Sequence, residues 1–114
     1  MSTKFPQTLR LKTQHHFNHV FLNGKKLFTN GIVVISCHNN LKYPRVGIIV
    51  AKKNLRKAVD RNAFKRLVRE SFRLNQINIG AVDVVIMANK RTKFFTKSEL
   101  DQCLGKAWPQ LISS

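Results

Sequence analysis

Between Ala58 and Arg73 a cation recurs at every fourth residue, as Arg61, Lys65, Arg69 and Arg73. On an α-helix that spacing puts all four on one face, with Asn62 and Arg66 beside them. Ala63, Phe64, Leu67, Val68 and Ser71 fall on the other side and suit a core. A segment divided in this way must lie on the surface of a globular domain with its apolar side down. It also runs against ordinary helix electrostatics. Like charges at i, i+4 cost about 0.2–0.5 kcal/mol per pair, and solvated helix faces usually mix signs. From Lys52 onward only Asp60 and Glu70 oppose the cations Lys52, Lys53, Arg56, Lys57, Arg61, Lys65, Arg66, Arg69 and Arg73. A phosphate backbone laid along this face would turn the repulsion into attraction. Arginine's planar fork suits phosphate, and Asn62 adds a neutral donor and acceptor for sugar, base or water. The plainer alternative is a solvated charged face.

The imbalance extends over the whole chain, where 21 Lys and Arg face five acids and leave a net charge of +16 in 114 residues. Self-repulsion of that size calls for a polyanionic partner. The charges lie within patterned sequence that is 43% hydrophobic, so residues 1–114 are expected to form one folded domain rather than a disordered tail. No apolar run approaches the roughly 18 residues that cross a bilayer. Met1 to Lys12 lacks the apolar stretch and cleavage site of a signal peptide, so a cytoplasmic location is expected. Cys37 and Cys103 sit at apolar-patterned positions and read as reduced core thiols.

Met1 to Lys12 reads as an extended basic arm. Thr13 can cap a helix reaching Asn23, in which Phe17, Val20 and Phe21 share a face and Gly24 provides the stop. Gly31 to Cys37 is β-branched and reads as a strand. A polar turn from His38 to Pro44 leads to a second strand, Arg45 to Ala51, and the two are expected to form a hairpin. Lys52 to Lys57 then enters the long helix, which should run to about Leu74. Val82 to Ala88 is apolar enough to lie inside a sheet. Thr96-Lys97-Ser98-Glu99 is a capping box. It opens a last helix whose stripe is Leu100, Cys103, Leu104, Ala107, Trp108 and Leu111. The order α-β-β-α-β-α makes an α+β fold, a small sheet packed by helices.

The run Arg61-Asn62-Ala63-Phe64-Lys65-Arg66-Leu67-Val68-Arg69-Glu70 resembles the signature helix of the bacterial ribonuclease P protein, Arg-Asn-Arg-x-Lys-Arg-x-x-Arg-Glu. Arg45-Val46-Gly47-Ile48-Ile49-Val50-Ala51-Lys52-Lys53, Phe17-x-x-Val20-Phe21 and Asp83-Val84-Val85 match that family in order and spacing. Two positions depart from the pattern. Ala63 stands where the family usually has Arg; it falls nearer the apolar side, so its loss should trim RNA affinity without abolishing it. Ile35 stands where some relatives carry an aromatic, which puts a stacking contact there in question.

The resemblance implies an α-β-β-β-α-β-α two-layer sandwich with one extra short strand and a left-handed β-α-β crossover, a rare exception to the right-handed rule. It implies one protein per catalytic RNA in a ribonucleoprotein endoribonuclease, with Mg2+ and the chemistry on the RNA. The reaction so implied removes the 5′ leader of precursor tRNA, with neither a catalytic residue nor a metal ligand in the protein. Arg61, Asn62, Lys65, Arg66, Arg69 and Arg73 would contact the catalytic RNA and nearby substrate. A cleft between the first helix and the sheet would take the leader, with Phe17 and Phe21 stacking on its bases and Lys52 and Lys53 along its phosphates. Arg45, Arg56 and Lys57 would add basic contacts. The residues alone leave Phe17 and Phe21 open between a stacking surface and ordinary core positions.

Other classes fit less well. A metal nuclease needs gathered carboxylates or histidines, whereas Asp60, Glu70, Asp83, Glu99 and Asp101 are scattered. His15 and His19 have the i, i+4 spacing of a metal pair but lack an evident third ligand, and read as exposed helix histidines. A non-enzymatic RNA-binding module, such as a ribosomal protein or RNA chaperone, would share charge and fold without raising cleavage of tRNA precursors. A membrane-surface helix would need free bulky apolar residues, yet Phe64, Leu67 and Val68 are expected in the core.

Overall fold

The computed structural model describes residues 7–112, so residues 1–6 of the expected arm lie outside the described residues. The main elements are α1 (Gln14–Asn23), β1 (Lys25–Phe28), β2 (Ile32–His38), β3 (Arg45–Ile49), α2 (Ala58–Ile79), β4 (Val82–Ala88) and α3 (Lys97–Ile112). The order is α-β-β-β-α-β-α, in an α+β fold. The strand that the residues did not reveal is β1. Its sequence, Lys-Lys-Leu-Phe, is mostly exposed on a sheet edge, where lysines suit the solvent but hide the apolar pattern of a strand.

The sheet order is β1-β2-β4-β3. The expected hairpin of β2 and β3 does not form, because β4 lies between them. It pairs antiparallel with β2 (Ile35 opposite Val85) and parallel with β3 (Gly47 opposite Val85). Val82 to Ile86 are all buried, and a strand covered on both faces belongs in the middle of a sheet. Parallel neighbours need a crossover, and α2 supplies it between β3 and β4.

The two faces of the sheet hold separate cores. On one, Phe64, Val68, Phe72 and Ile79 of α2 and Leu100, Leu104, Ala107, Trp108 and Leu111 of α3 cover Ile32, Val34, Val46, Val84 and Ile86. Phe72 meets Trp108 edge to face, and Trp108 Nε1 donates to the buried Ser71 Oγ at 2.8 Å. On the other face Val20 of α1 packs with Ile35, Val85 and Leu11. Strand alternation makes this division possible, since Val84 and Val85 point to opposite sides.

Local signals set the helix ends. His16 N–H donates to Thr13 Oγ1, and the Gly24 N–H donates to Val20 O at 2.7 Å. Thr96 and Glu99 form the reciprocal capping box, at 2.8 and 3.1 Å. α2 continues past the expected end at Leu74 to Ile79, where Gly80 breaks it with φ 82°. Few residues other than glycine adopt that φ, so Gly80 marks the true end. The N-terminal segment is also not a free arm from residue 7 onward. Gln7–Leu9 forms a 3-10 turn, Leu9 and Leu11 are buried, and Leu11 N–H donates to Val46 O at 3.0 Å. Burying two leucines holds this stretch along β3.

Candidate RNA interface

The exposed side of α2 forms one wall of a groove of about 360 Å³, lined by Arg10, Asn62, Lys65, Arg66, Arg69, Glu70 and Arg73. Asn62, Arg66 and Arg73 are exposed, while Lys65 and Arg69 are half-buried. Burial, and then the neighbouring charge of Arg10, hold the Arg69 guanidinium below the usual arginine value. Arginine nevertheless keeps its charge in proteins. A half-buried guanidinium crowded by another cation would gain from an anion in the groove. Glu70 supplies one negative charge, and it pairs with Arg73 three residues on.

Arg61, the first cation of the row, is used differently. Its Nη1 donates to Leu55 O at 2.9 Å and to Arg56 O at 2.7 Å, closing the turn that leads into α2. Arg61 thereby satisfies carbonyls that the turn would otherwise leave to water. Ala63 is exposed rather than nearer the core. It borders a second, more apolar groove with Leu55, Phe64, Leu67, Phe95 and Leu100.

Two phenylalanines of α1 pack toward the sheet. Phe17 and Phe21 are both half-buried against the cluster of Ile35 and Val85, with Val33, Cys37, Ile49 and Met87 around it. A Cβ on Gly47 would lie 2.6 Å from Cε1 and Cζ of Phe17. The bare backbone at Gly47 is therefore what lets the ring lie on β3. Sequence reasoning missed this role, although glycine inside a strand often signals such a close approach. Ile35 is buried under α1 and leaves no surface on which a base could stack.

Lys52 and Lys53 are exposed in the turn after β3, where the Asn54 and Leu55 N–H groups donate to Ala51 O. Arg56 and Lys57 are exposed beyond them. Arg45 is engaged in the fold. It stands opposite Asp83 in the β3–β4 register and grips it at two points, Nε to Oδ1 at 2.9 Å and Nη2 to Oδ2 at 2.7 Å. The side chains are 19% and 5% exposed, and the Asp83 hydrogen bond raises the Arg45 pKa. Asn39 Nδ2 adds a third donor to Asp83 at 2.9 Å. Burial, and then Asp83, push the nearby Cys37 thiol up. Cys37 and Cys103 are both free and half-buried.

Among the described residues no group of three or more His, Cys, Asp or Glu could hold a metal ion. No described helix is long and apolar enough to cross a membrane.

Residues 5–112 match the family model described as ribonuclease P. The chain belongs to the ribonuclease P protein family. It is 43% identical over 104 residues to the ribonuclease P protein component of Citrobacter koseri, covering 91% of this chain and 87% of that protein. The corresponding protein of Edwardsiella ictaluri is 41% identical over the same length. The fold is also similar to that of the Thermotoga maritima RNase P protein in complex with 1-(4-fluorophenyl)-2-thiourea. There the TM-score is 0.81 at 32% identity, over 89% of this chain and 98% of that one. A ribonuclease P protein is a subunit of a ribonucleoprotein endoribonuclease, and its partner is an RNA. The segment that carries Arg10 and Leu11 links the α2 groove to the hydrophobic cluster beneath α1.

Proposed function

We propose that this ribonuclease P protein holds the catalytic RNA on the cationic groove of α2 and the 5′ leader of precursor tRNA in the cleft beneath α1. In that role it assists magnesium-dependent endonucleolytic removal of the leader, acting in the cytoplasm as one protein per RNA. The observation that carries the reading is the groove around Arg69, where Arg10, Lys65, Arg66 and Arg73 converge with little opposing charge. Two polyanions, catalytic RNA and substrate, repel each other. A cationic wall between them offsets that repulsion and releases their counterions. Phe17 and Phe21 offer ring surface to unpaired leader bases, and Lys52 and Lys53 offer charge to leader phosphates. Arg56 and Lys57 extend the cationic surface toward α2. The magnesium ions implied by the family would be held by the RNA.

Reconstitution tests this reading. The chain combined with a ribonuclease P RNA at low magnesium should raise leader removal well above that of the RNA alone, and the chain alone should be silent. Leader removal by rigorously RNA-free protein would overturn it. Binding of structured RNA with no gain in cleavage would instead favour a general RNA-binding module.

A further inference from the structure

β3 and β4 run parallel, so their C-terminal ends lie at the same end of the sheet. Their register ends with Ile49 opposite Met87, one residue before β4 stops at Ala88. β3 therefore supplies no partner for Ala88, which is buried. Asn54 takes that place from the turn that follows β3. Its Nδ2 donates to Ala88 O at 3.2 Å. A buried carbonyl left without a donor is costly, so this bond holds both the strand end and the turn.

The composition of the turn does not fix its course. Lys52 to Lys57 reads Lys-Lys-Asn-Leu-Arg-Lys, without a Gly or Pro to set the backbone. Four of its six residues are cations, whose repulsion favours a splayed loop. Leu55, its one apolar residue, packs on the core, but apolar contact is non-directional. Hydrogen bonds supply the direction. The Asn54 and Leu55 N–H groups both donate to Ala51 O, at 3.0 and 3.2 Å. The Arg61 guanidinium closes the far end through Leu55 O and Arg56 O. Of these bonds and that of the Asn54 side chain, the last alone reaches the sheet. A neutral amide suits the task, because it leaves the cations beside it unengaged. Lys52 and Lys53 are exposed, and among the described residues neither enters an ion pair.

We infer that Asn54 is a positioning residue for the leader. It holds the backbone of Lys52 and Lys53 at the end of the sheet, so that both ammonium groups meet leader phosphates without first ordering the turn. The inference rests on the reading of these lysines as leader contacts. Fixing backbone on binding costs affinity, and a turn already fixed in the free protein avoids that loss. The lysines supply the attraction and Asn54 the geometry, so removing them weakens binding in different ways. Loss of a lysine removes a charge and the counterion release that goes with it, whereas loss of Asn54 removes no charge.

The test reconstitutes the unaltered chain, N54A and K52A/K53A with one ribonuclease P RNA. Binding of leader-bearing precursor and of mature tRNA is then measured over a salt series. N54A should weaken precursor binding about fivefold, the scale of one hydrogen bond, and leave mature tRNA binding and the log–log salt slope unchanged. K52A/K53A should lower that slope by about 1.4, the loss of two single-strand phosphate contacts. If K52A/K53A lowers the slope while N54A binds precursor like the unaltered chain, the positioning role is overturned and the leader reading stands. Equal weakening of precursor and mature tRNA by N54A assigns Asn54 to the fold alone and also overturns it. If K52A/K53A binds precursor normally, the leader reading fails and the inference fails with it. A further measurement needs no variant. In the unaltered chain the Asn54 and Leu55 amides should exchange slowly with solvent, as hydrogen-bonded amides of an ordered turn do. Exchange at the rate of an open loop overturns the proposal even if N54A does not fold.

Discussion

The groove on α2 and the cleft under α1 lie on one small subunit and are built by opposite means. The groove is made of charge that the fold hardly uses, because Asn62, Lys65, Arg66 and Arg73 point away from Phe64, Val68 and Phe72. The cleft is made of rings that the fold also needs, because Phe17 and Phe21 pack on Ile35 and Val85 while keeping part of their surface outside. A polyanion can thus be held by groups whose removal leaves the core intact. Under the proposed function unpaired bases would stack on these rings, and on a domain of this size that aromatic surface is borrowed from the core.

The largest expected effect comes from emptying the groove. K65A/R66A/R69A should lower the log–log salt dependence of RNA binding by about 2, since each lost phosphate contact removes roughly 0.7–0.9. Its thermal melt should stay close to that of the unaltered protein. A variant that unfolds would break the comparison, because the charges would then belong to the fold.

The cleft should behave in the mixed way that half-burial dictates. Phe17→Ala or Phe21→Ala should weaken binding of leader-bearing precursor by about 1–3 kcal/mol while hardly changing that of mature tRNA. Folding stability should also fall, by less than the roughly 3–5 kcal/mol of a fully buried phenylalanine. Melting curves run beside the two binding assays distinguish the effects; destabilisation with no selectivity for precursor would assign both rings to the core alone. Gly47→Ala acts on the same slot without touching a ring. Its Cβ should drive Phe17 off β3 at a cost of about 1–3 kcal/mol and reproduce the precursor-selective loss.

Arg61 sharpens the comparison from within the signature helix. Arg61→Ala should cost about 1 kcal/mol in a denaturant titration, because the carbonyls of Leu55 and Arg56 lose their donor, whereas Lys65→Ala should cost nothing measurable. Equal stabilities would return Arg61 to the binding face. The smallest effect lies outside both regions. Hydrogen bonds from the Thr96 backbone N–H and side chain hold the exposed Glu99 carboxylate below its ordinary pKa. A depressed folded-state pKa contributes stability above the unfolded value, and that contribution disappears as pH falls through the folded one. Glu99→Gln should therefore flatten the acid limb of a stability–pH curve slightly and leave the neutral limb unchanged in shape.

Patterns that repeat within one element were legible in the residues. The apolar side of α2 through Phe64, Val68 and Ser71, the α3 stripe and its Thr96–Glu99 box, and the buried run of β4 depend on local spacing, and they appear as expected. Ala63, by contrast, is exposed, and Arg61 turns back onto the preceding turn. β1 was not legible, because an exposed edge strand carries little apolar pattern. The β2–β3 hairpin was misread because nearness in sequence favours pairing, whereas burial of β4 on both faces puts it between them. Arg45 looked like one more free cation because its partner, Asp83, lies far along the chain.

The amino-acid sequence by itself determined the excess positive charge, the helix that presents it, and the family to which the chain belongs. Each is written in residue type and short-range spacing, which survive without any long-range contact. Only the tertiary structure decided which cations stay available, that Arg10 joins Arg69, that Gly47 opens a slot for Phe17, and that Asn54 meets the end of β4. Those are meetings between distant segments, and what brings them about is the burial of apolar surface on the two faces of the sheet.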